Sequence, residues 1–163
     1  MMQIHIDTEF TSLSDPQLIS IGAVAADGRT FYGVVEDFPR RACTAFVLEQ
    51  VLPLLEHRPA DVRLPFAGLV RAFGDWLAVL AESDTSMLQL IADDECDIEM
   101  LRQLLSRVGW SEAQIKAACV LRPLHSVAGA GRRFRQWFEQ HPEAQPHNAL
   151  DDACAYREAL RSD

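Results

Sequence analysis

Residues 2–35 of the chain read MQIHIDTEFTSLSDPQLISIGAVAADGRTFYGVV and contain three apolar runs. Apolar and polar side chains alternate in residues 2–9, residues 18–26 are almost continuously apolar, and residues 30–35 are rich in aromatic and β-branched side chains. These patterns are typical of β-strands, and the continuous second run indicates burial on both faces of a sheet. The Asp-Gly pair that ends at Gly28 favours a hairpin turn, because glycine tolerates a positive φ. The chain is therefore predicted to begin with a three-stranded antiparallel meander.

Downstream of the meander, helical and strand patterns alternate. Apolar residues at helical spacing indicate helices in residues 44–55, 66–81, 97–108, 126–140 and 148–160. Short apolar runs indicate buried strands in residues 87–92 and 117–121. This order predicts the α/β class, with a mixed central sheet flanked by helices on both faces. The length of 163 residues predicts a single domain over residues 1–163.

Composition and charge narrow the classes of function. Apolar residues make up 48% of the chain and charged residues 24%, which is typical of folded globular domains. The formal net charge of −9 argues against a protein that binds nucleic acid over a wide basic surface. This negative charge is compatible with a cleft in which carboxylates bind metal ions. The scattered cysteines and the absence of a leader or membrane-spanning pattern predict a cytoplasmic protein with no membrane partner.

Two carboxylates lie close together at the end of the first predicted strand. Asp7 and Glu9 point to the same face, because side chains alternate along a strand. Neighbouring carboxylates repel each other, and a cation that prefers oxygen ligands, such as Mg²⁺ or Mn²⁺, would remove the repulsion. The alternative is a frayed strand end with both side chains in water.

A third acidic position lies at the start of the helix predicted for residues 97–108. Asp97 is next to the apolar stripe of this helix, so it either points inward or simply caps the helix N-terminus. Asp93 and Asp94 precede it and are typical of a solvated turn or of caps.

Residues 147–153 read HNALDDA and begin the last predicted helix. Asp152 lies beside the apolar stripe of this helix, whereas Asp151 lies on a line of residues predicted to face solvent. Asp152 is therefore the expected inward carboxylate. His147 lies on the loop before the helix, where an imidazole could act as a general base. The alternative is a surface histidine followed by two carboxylates that only favour the helix N-terminus.

With these residues in view, the sequence resembles the DEDD superfamily of 3′–5′ exonucleases, in the subclass whose last motif contains histidine. Three parts of the chain carry the resemblance. Asp7-Thr8-Glu9 is similar to the first motif of the superfamily, Asp97 to the second, and His147 with Asp152 to the third. The chain looks most like small exoribonuclease-like proteins of bacteria and phages that have DTEF in the first motif. The resemblance implies a ribonuclease H-like fold.

The second motif departs from the pattern of many relatives. These relatives have asparagine four residues before the central aspartate and an aromatic residue directly before it, where this chain has Asp93 and Cys96. Asp93 and Asp94 therefore compete with Asp97 for this position.

The resemblance also implies a chemistry, in which a metal-dependent 3′–5′ exonuclease hydrolyses single-stranded nucleic acid, RNA rather than DNA. Four carboxylates would bind two Mg²⁺ or Mn²⁺ ions: Asp7, Glu9, Asp97 and Asp152. His147 would accept the proton of the attacking water. Substrate contacts are expected from Thr8, Phe10 and Leu13, with the last two forming an apolar wall for the terminal base. Phe10 could equally belong to the core.

Several alternatives and partners follow from the same residues. A ribonuclease H-like module that binds nucleic acid or protein without catalysis is one alternative, and a phosphodiesterase of small nucleotides is another. Several small relatives are homodimers, so a homodimer is a further expectation. The basic clusters in residues 39–41 and 132–135 are either contacts for backbone phosphates or solvated surfaces.

Overall fold

The computed structural model describes residues 1–81 and 88–161. At its centre is a six-stranded sheet with the strand order β4-β3-β2-β1-β5-β6. The strands are β1 (Met2–Phe10), β2 (Leu18–Ala25), β3 (Thr30–Val35), β4 (Val62–Leu64), β5 (Leu88–Ala92) and β6 (Cys119–Leu121). The α-helices are α1 (Phe66–Ala81), α2 (Glu95–Arg107), α3 (Glu112–Ala118), α4 (Ala130–Gln140) and α5 (Ala149–Leu160).

The predicted meander is confirmed, because β1 pairs antiparallel with β2 and β2 pairs antiparallel with β3. Gly28, in the turn between β2 and β3, has a φ of 93°. Every residue of β2 is buried, as its continuous apolar run predicts. The other three strands are parallel to their neighbours, with β4 next to β3, β5 next to β1 and β6 next to β5. The sheet is therefore mixed.

Helices cover both faces of this sheet. On one face, Ile4 and Ile6 of β1 belong to the main core cluster together with apolar residues of α1 and α2. On the other face, α5 lies against β1 and β2, and α4 packs on α5. Within the described ranges, no helix is long and apolar enough to cross a membrane. The predicted α/β class with helices on both faces is confirmed, and the arrangement is compatible with a ribonuclease H-like fold.

The segment predicted as a regular helix at residues 44–55 is irregular. It contains a π-helical turn at Val47–Val51 followed by a 3₁₀ turn at Leu52–Glu56. Pro53 has no N–H to donate and its ring clashes with a carbonyl of the preceding turn, so a regular α-helix cannot continue through it.

Two short elements were not predicted, namely β4 and α3. The helix α3 begins at a capping box in which Ser111 and Gln114 bond to each other's backbone N–H groups. The helix predicted from residue 126 begins only at Ala130, after a 3₁₀ turn at Leu124–Ser126. Of the strand predicted at residues 87–92, β5 covers all but Met87, which lies outside the described residues.

Candidate active site

The carboxyl end of β1 holds the residues of the first motif. In the antiparallel pairing with β2, Asp7 lies opposite Gly22 and Glu9 lies opposite Ser20. Alternation along the strand directs these two carboxylates to the face covered by α5. Thr8 points to the other face, where it contacts α2. The strand end therefore delivers polar groups to both layers of helices.

The first turn of α2 is attached to β1 through Asp97. This carboxylate is 3% exposed, and its Oδ1 accepts hydrogen bonds from the Thr8 N–H at 3.0 Å and the Thr8 hydroxyl at 2.6 Å. Asp94 instead caps the N-terminus of α2 through its side chain. Asp93 accepts a backbone N–H from Leu124, in the segment after β6. Of the three acidic residues that compete for the second motif, the structure joins Asp97 to the first motif.

A close contact between β2 and α5 determines where the third motif lies. A Cβ atom on Gly22 would lie 2.2 Å from the carbonyl carbon and oxygen of Ala149, so this approach requires glycine. The N-cap of α5 is Asn148, whose Nδ2 donates to the hydroxyl of Tyr32 at 3.0 Å. Since Gly22 is the sheet partner of Asp7, the contact places the start of α5 next to the carboxylates of β1.

Glu9, His147 and Asp152 come together at this point. One potential ligand atom from each lies within 4.8 Å of the other two. The His147 N–H donates to Oδ2 of Asp152 at 2.9 Å. Asp152 Oδ1 is buried and has no hydrogen-bond partner in the part of the chain that the structure describes. The arrangement therefore places a buried carboxylate oxygen that has no hydrogen-bond donor among residues 1–81 and 88–161 next to a second carboxylate and an imidazole.

The backbone of His147 adopts a conformation that is uncommon for residues other than glycine. Its φ is 68°, in the left-handed region, where histidine, asparagine and aspartate are enriched among non-glycine residues. The side chain is exposed, and its ring makes an edge contact with the ring of Phe46, with 5.1 Å between centroids. The imidazole is thus oriented at the surface of the cluster.

The prediction that Asp151 faces solvent is wrong. This side chain is 1% exposed, and it accepts hydrogen bonds from the Arg58 guanidinium and, at 3.0 Å, from the N–H of Gln145. The reason is that Arg58 and the backbone of Gln145, in the loop before α5, lie over this position and bond to both carboxylate oxygens. Asp152, the predicted inward carboxylate, is the one beside Glu9.

Asp7 and Asp97 interact with Glu9 and Asp152, so the four form one carboxylate cluster, and burial makes all four difficult to ionise. It raises the pKa of Asp7 well above its usual range, and repulsion from Asp97 and Asp152 adds to the effect. Burial, followed by repulsion from the same two aspartates, raises the pKa of Glu9 to about 9. Burial also raises the pKa of Asp152 to about 7 and that of Asp97 to about 6, against the hydrogen bonds that each accepts. The surroundings therefore do not stabilise the cluster with all of its carboxylates ionised.

This set of donors fits a divalent cation. The acidic groups are hard oxygen ligands that repel one another, and Oδ1 of Asp152 has no donor among the described residues. A cation would favour the ionised form of every one of them. His147 lies close enough to Glu9 and Asp152 to be a second type of ligand, although an imidazole is a softer ligand than the carboxylates.

The residues predicted to contact substrate have different environments. Both hydrogen-bond donors of Thr8 are directed to Asp97. Phe10 is partly buried against the main core cluster. Leu13, in the loop between β1 and β2, is 78% exposed.

Two residues at the site were not found from the sequence. Phe46, which is 52% exposed and contacts His147, lies in an apolar segment that resembles an ordinary amphipathic helix. Arg58 binds Asp151 across a large separation in the chain, and no spacing rule connects them. A signal did exist for the Gly22 contact, because glycine inside a strand often marks the close approach of another backbone.

Comparison with known protein families gives a match over nearly the whole chain. Residues 2–162 match the family described as the Rv2179c-like 3′–5′ exoribonuclease domain. None of the curated proteins matches the sequence. The matched range includes every residue of the cluster.

Proposed function

Because this chain belongs to the family of Rv2179c-like 3′–5′ exoribonuclease domains, which hydrolyse phosphodiester bonds, we propose a specific mechanism for it. In this proposal, residues 1–163 form a single domain of the DEDD type with histidine in its last motif. The domain removes nucleotides from the 3′ end of single-stranded RNA with the help of two divalent ions, Mg²⁺ or Mn²⁺.

The observation that carries the proposal is that Glu9, His147 and Asp152 each have a potential ligand atom within 4.8 Å of the other two. Glu9 lies on β1 and the other two lie at the start of α5, and the Gly22 contact and the Asn148 cap hold these elements together. A surface cluster of acids would not need such support.

In the proposal, four carboxylates hold the ions: Asp7, Glu9, Asp97 and Asp152. The ions would supply neutralisation of the phosphate charge and stabilisation of the leaving 3′ oxygen. Thr8 is a positioning residue, because its N–H and hydroxyl fix the orientation of Asp97. The His147 N–H fixes Asp152 in the same way. The imidazole of His147 is exposed beside the cluster, so it can accept the proton of the attacking water.

Exposed apolar side chains near the cluster are the proposed contacts of the terminal base. Phe46 lies directly against His147, and its exposed ring offers a face for stacking that tolerates any base. Phe10 and Leu13 would extend this wall from the β1 side. A hydrogen bond of 3.0 Å from the Thr44 N–H to the Thr11 carbonyl connects the two segments.

The test uses 5′-labelled RNA, the DNA of the same sequence and ribodinucleotides, each with Mg²⁺, with Mn²⁺ and with chelator. We expect RNA to shorten from its 3′ end when the metal is present and to stay intact in chelator. Asp7→Asn should abolish this activity, whereas Asp75→Asn, a matched change on the exposed side of α1, should leave it unchanged.

Other outcomes would contradict the proposal. Hydrolysis of dinucleotides alone would indicate a phosphodiesterase of small nucleotides. Binding of RNA without hydrolysis under every metal condition would indicate a binding module. Full activity in excess chelator would exclude the metal-dependent mechanism.

A further inference from the structure

A second cavity lies away from the carboxylate cluster, at the start of β1 and the end of α5. Its volume is about 300 Å³, at the lower end of the range of small-molecule sites. Five side chains with nitrogen donors line it: His5, Arg122, Arg157 and Arg161, together with Gln3, whose Nε2 donates to Gln89. None of the carboxylates proposed to bind metal lines this cavity.

Positive charge outweighs negative charge around this cavity. Arg157 and Arg161 share one carboxylate, Glu158, at 3.1 and 3.0 Å. Arg157 is also held by the Ala25 carbonyl, which accepts from its Nη1 at 3.2 Å. The Arg122 side chain has no ion pair or hydrogen bond with the described residues. Within the part of the chain that the structure describes, three guanidinium groups therefore face a single carboxylate, an unusual arrangement in a chain with a net charge of −9.

The cavity also contains a buried polar atom without a partner. His5 is 6% exposed, and its Nδ1 is buried with no hydrogen bond to any described residue. The ring is fixed by an edge contact with Tyr156, with 5.5 Å between centroids. The Nδ1 of an imidazole can carry a proton and donate it to an acceptor.

We propose that this cavity is a binding site for a phosphate monoester. Among residues 1–81 and 88–161, three guanidinium groups against one carboxylate leave about two uncompensated positive charges, and a phosphate monoester carries about −1.5 to −2 at pH 7. The planar guanidinium matches the oxygens of a phosphate and forms short, charge-assisted hydrogen bonds with them. The His5 ring would add a hydrogen bond from the floor of the cavity.

An adjacent cleft favours a monoester that carries a nucleoside. Arg157 and Arg161 also line a cleft of about 570 Å³ together with Trp137 and His141. The rings of Trp137 and His141 stack with 4.3 Å between centroids, and such a pair can support a nucleobase. A nucleotide or the 5′-phosphorylated end of an RNA could therefore use both places, whereas inorganic phosphate would use only the first.

The experiment measures binding in excess chelator, so that the carboxylate cluster is free of metal and RNA stays intact. Calorimetric titrations compare inorganic phosphate, AMP, and one RNA sequence with either a 5′-phosphate or a 5′-hydroxyl. We expect Arg122→Ala and His5→Phe to weaken binding of the monoester by about tenfold or more, because each removes a hydrogen bond to a charged group. Arg71→Ala, a matched loss of charge on the exposed side of α1, should leave binding unchanged.

The results separate the possible sources of the phosphate. Arg122-dependent binding of inorganic phosphate, AMP and the 5′-phosphorylated RNA supports the proposal, and the tightest ligand identifies the source. Equal affinity for RNA with and without the 5′-phosphate would overturn it, as would equal binding by Arg122→Ala and Arg71→Ala or no binding of any monoester. These titrations do not depend on hydrolysis, because they contain excess chelator. Failure of this proposal therefore leaves the proposed exonuclease mechanism unaffected.

Discussion

Asp151 and Asp152 are adjacent in the chain but lie in opposite environments. Asp151 is a buried structural acid that receives hydrogen bonds from Arg58 and Gln145, whereas Asp152 has one buried oxygen without a partner among the described residues. The first carboxylate is stabilised by its neighbours, and the second is repelled by them. Substituting each with asparagine, which has the same shape, therefore tests the two roles separately.

We expect Asp151→Asn to destabilise the fold by about 1–3 kcal/mol, because the amide cannot accept both hydrogen bonds and no longer neutralises Arg58. Asp152→Asn should leave metal-free stability equal or higher, because it removes a repelled charge, while hydrolysis of RNA is lost. Denaturant unfolding in chelator and an RNA hydrolysis assay measure the two effects. A large loss of stability in Asp152→Asn would contradict this division of roles.

His147 combines a candidate catalytic side chain with a left-handed backbone, so the choice of substitution matters. Asparagine tolerates a φ of 68° better than alanine does, and it cannot act as a base at neutral pH. We expect His147→Asn to lower turnover by about two to four orders of magnitude while metal affinity stays near that of the wild type.

The readouts for His147 are single-turnover kinetics and a Mn²⁺ titration, with Asp152→Asn as the comparison for lost metal affinity. If His147→Asn weakened metal binding as much as Asp152→Asn does, the imidazole would be a ligand and not the base. If His147→Asn had the wild-type rate on every substrate, the resemblance in the third motif would not extend to mechanism.

At the scale of elements, the site depends on how closely α5 approaches the sheet. Gly22 lies on β2, opposite Asp7, and the backbone of Ala149 occupies the space that a side chain at this position would need. The strand and the helix are therefore in direct backbone contact at the point where the carboxylates of β1 meet those of α5.

We expect Gly22→Ala to destabilise the protein by about 3 kcal/mol and to lower turnover about a hundredfold, because α5 must move away from β1. Gly131→Ala is the matched control, since the nearest atom to its Cβ would be the flexible end of Arg135 at 4.0 Å. That change should be neutral or stabilising, because alanine favours a helix. Thermal unfolding and RNA hydrolysis of both variants test the difference. Wild-type activity in a folded Gly22→Ala protein would show that the contact does not position the site.

Sequence patterns predicted the elements that are long and regular, and they failed where a tertiary contact decides. The meander and the helices α1 and α5 follow from apolar periodicity, which local sequence contains in full. The three-residue strand β4 depends on its parallel neighbour β3, and no pattern of its own marks it. Within the site, local sequence was sufficient for Asp7 and Glu9, because alternation along one strand predicts that both point to the same face.

The positions of Phe46 and Arg58, by contrast, depend on an irregular segment. Phe46 comes directly before the π-helical turn, and Arg58 follows the 3₁₀ turn and lies outside the helix predicted for residues 44–55. Spacing rules assume regular geometry, so they could not place these two residues beside α5. The prediction for Asp151 is wrong for a related reason, because its contacts with Arg58 and Gln145 form only in the assembled fold.

At the scale of the whole molecule, the carboxylate cluster connects folding with pH and metal. Glu9, Asp97 and Asp152 hold protons in the folded state up to pKa values of about 9, 6 and 7, whereas in the unfolded chain they lose them near pH 4. Between these values the folded state binds more protons than the unfolded state, so the free energy of unfolding must fall as the pH rises.

We therefore expect the melting temperature in chelator to decrease steadily from about pH 5 to pH 9. Mn²⁺ should restore it, with a larger increase at pH 8 than at pH 5, because ions bind the deprotonated cluster. Glu9→Gln should flatten the pH dependence, and Glu95→Gln, a matched change at an exposed position of α2, should not. Differential scanning fluorimetry over this range measures all three effects. A metal-free protein that becomes more stable toward pH 9 would contradict the proposed cluster.

The short outer strands of the sheet also affect how copies of this protein can associate. β4 and β6 form the two edges, and each has three residues. An edge strand with a long row of free N–H and C=O groups invites strand-by-strand addition of another chain, which leads to aggregation. Edges of three residues offer few such groups, so this protein is poorly suited to extend its sheet into a second molecule. If two copies form a dimer, we expect the interface to consist of side chains on the helices. The six-stranded sheets of the two copies should then remain separate.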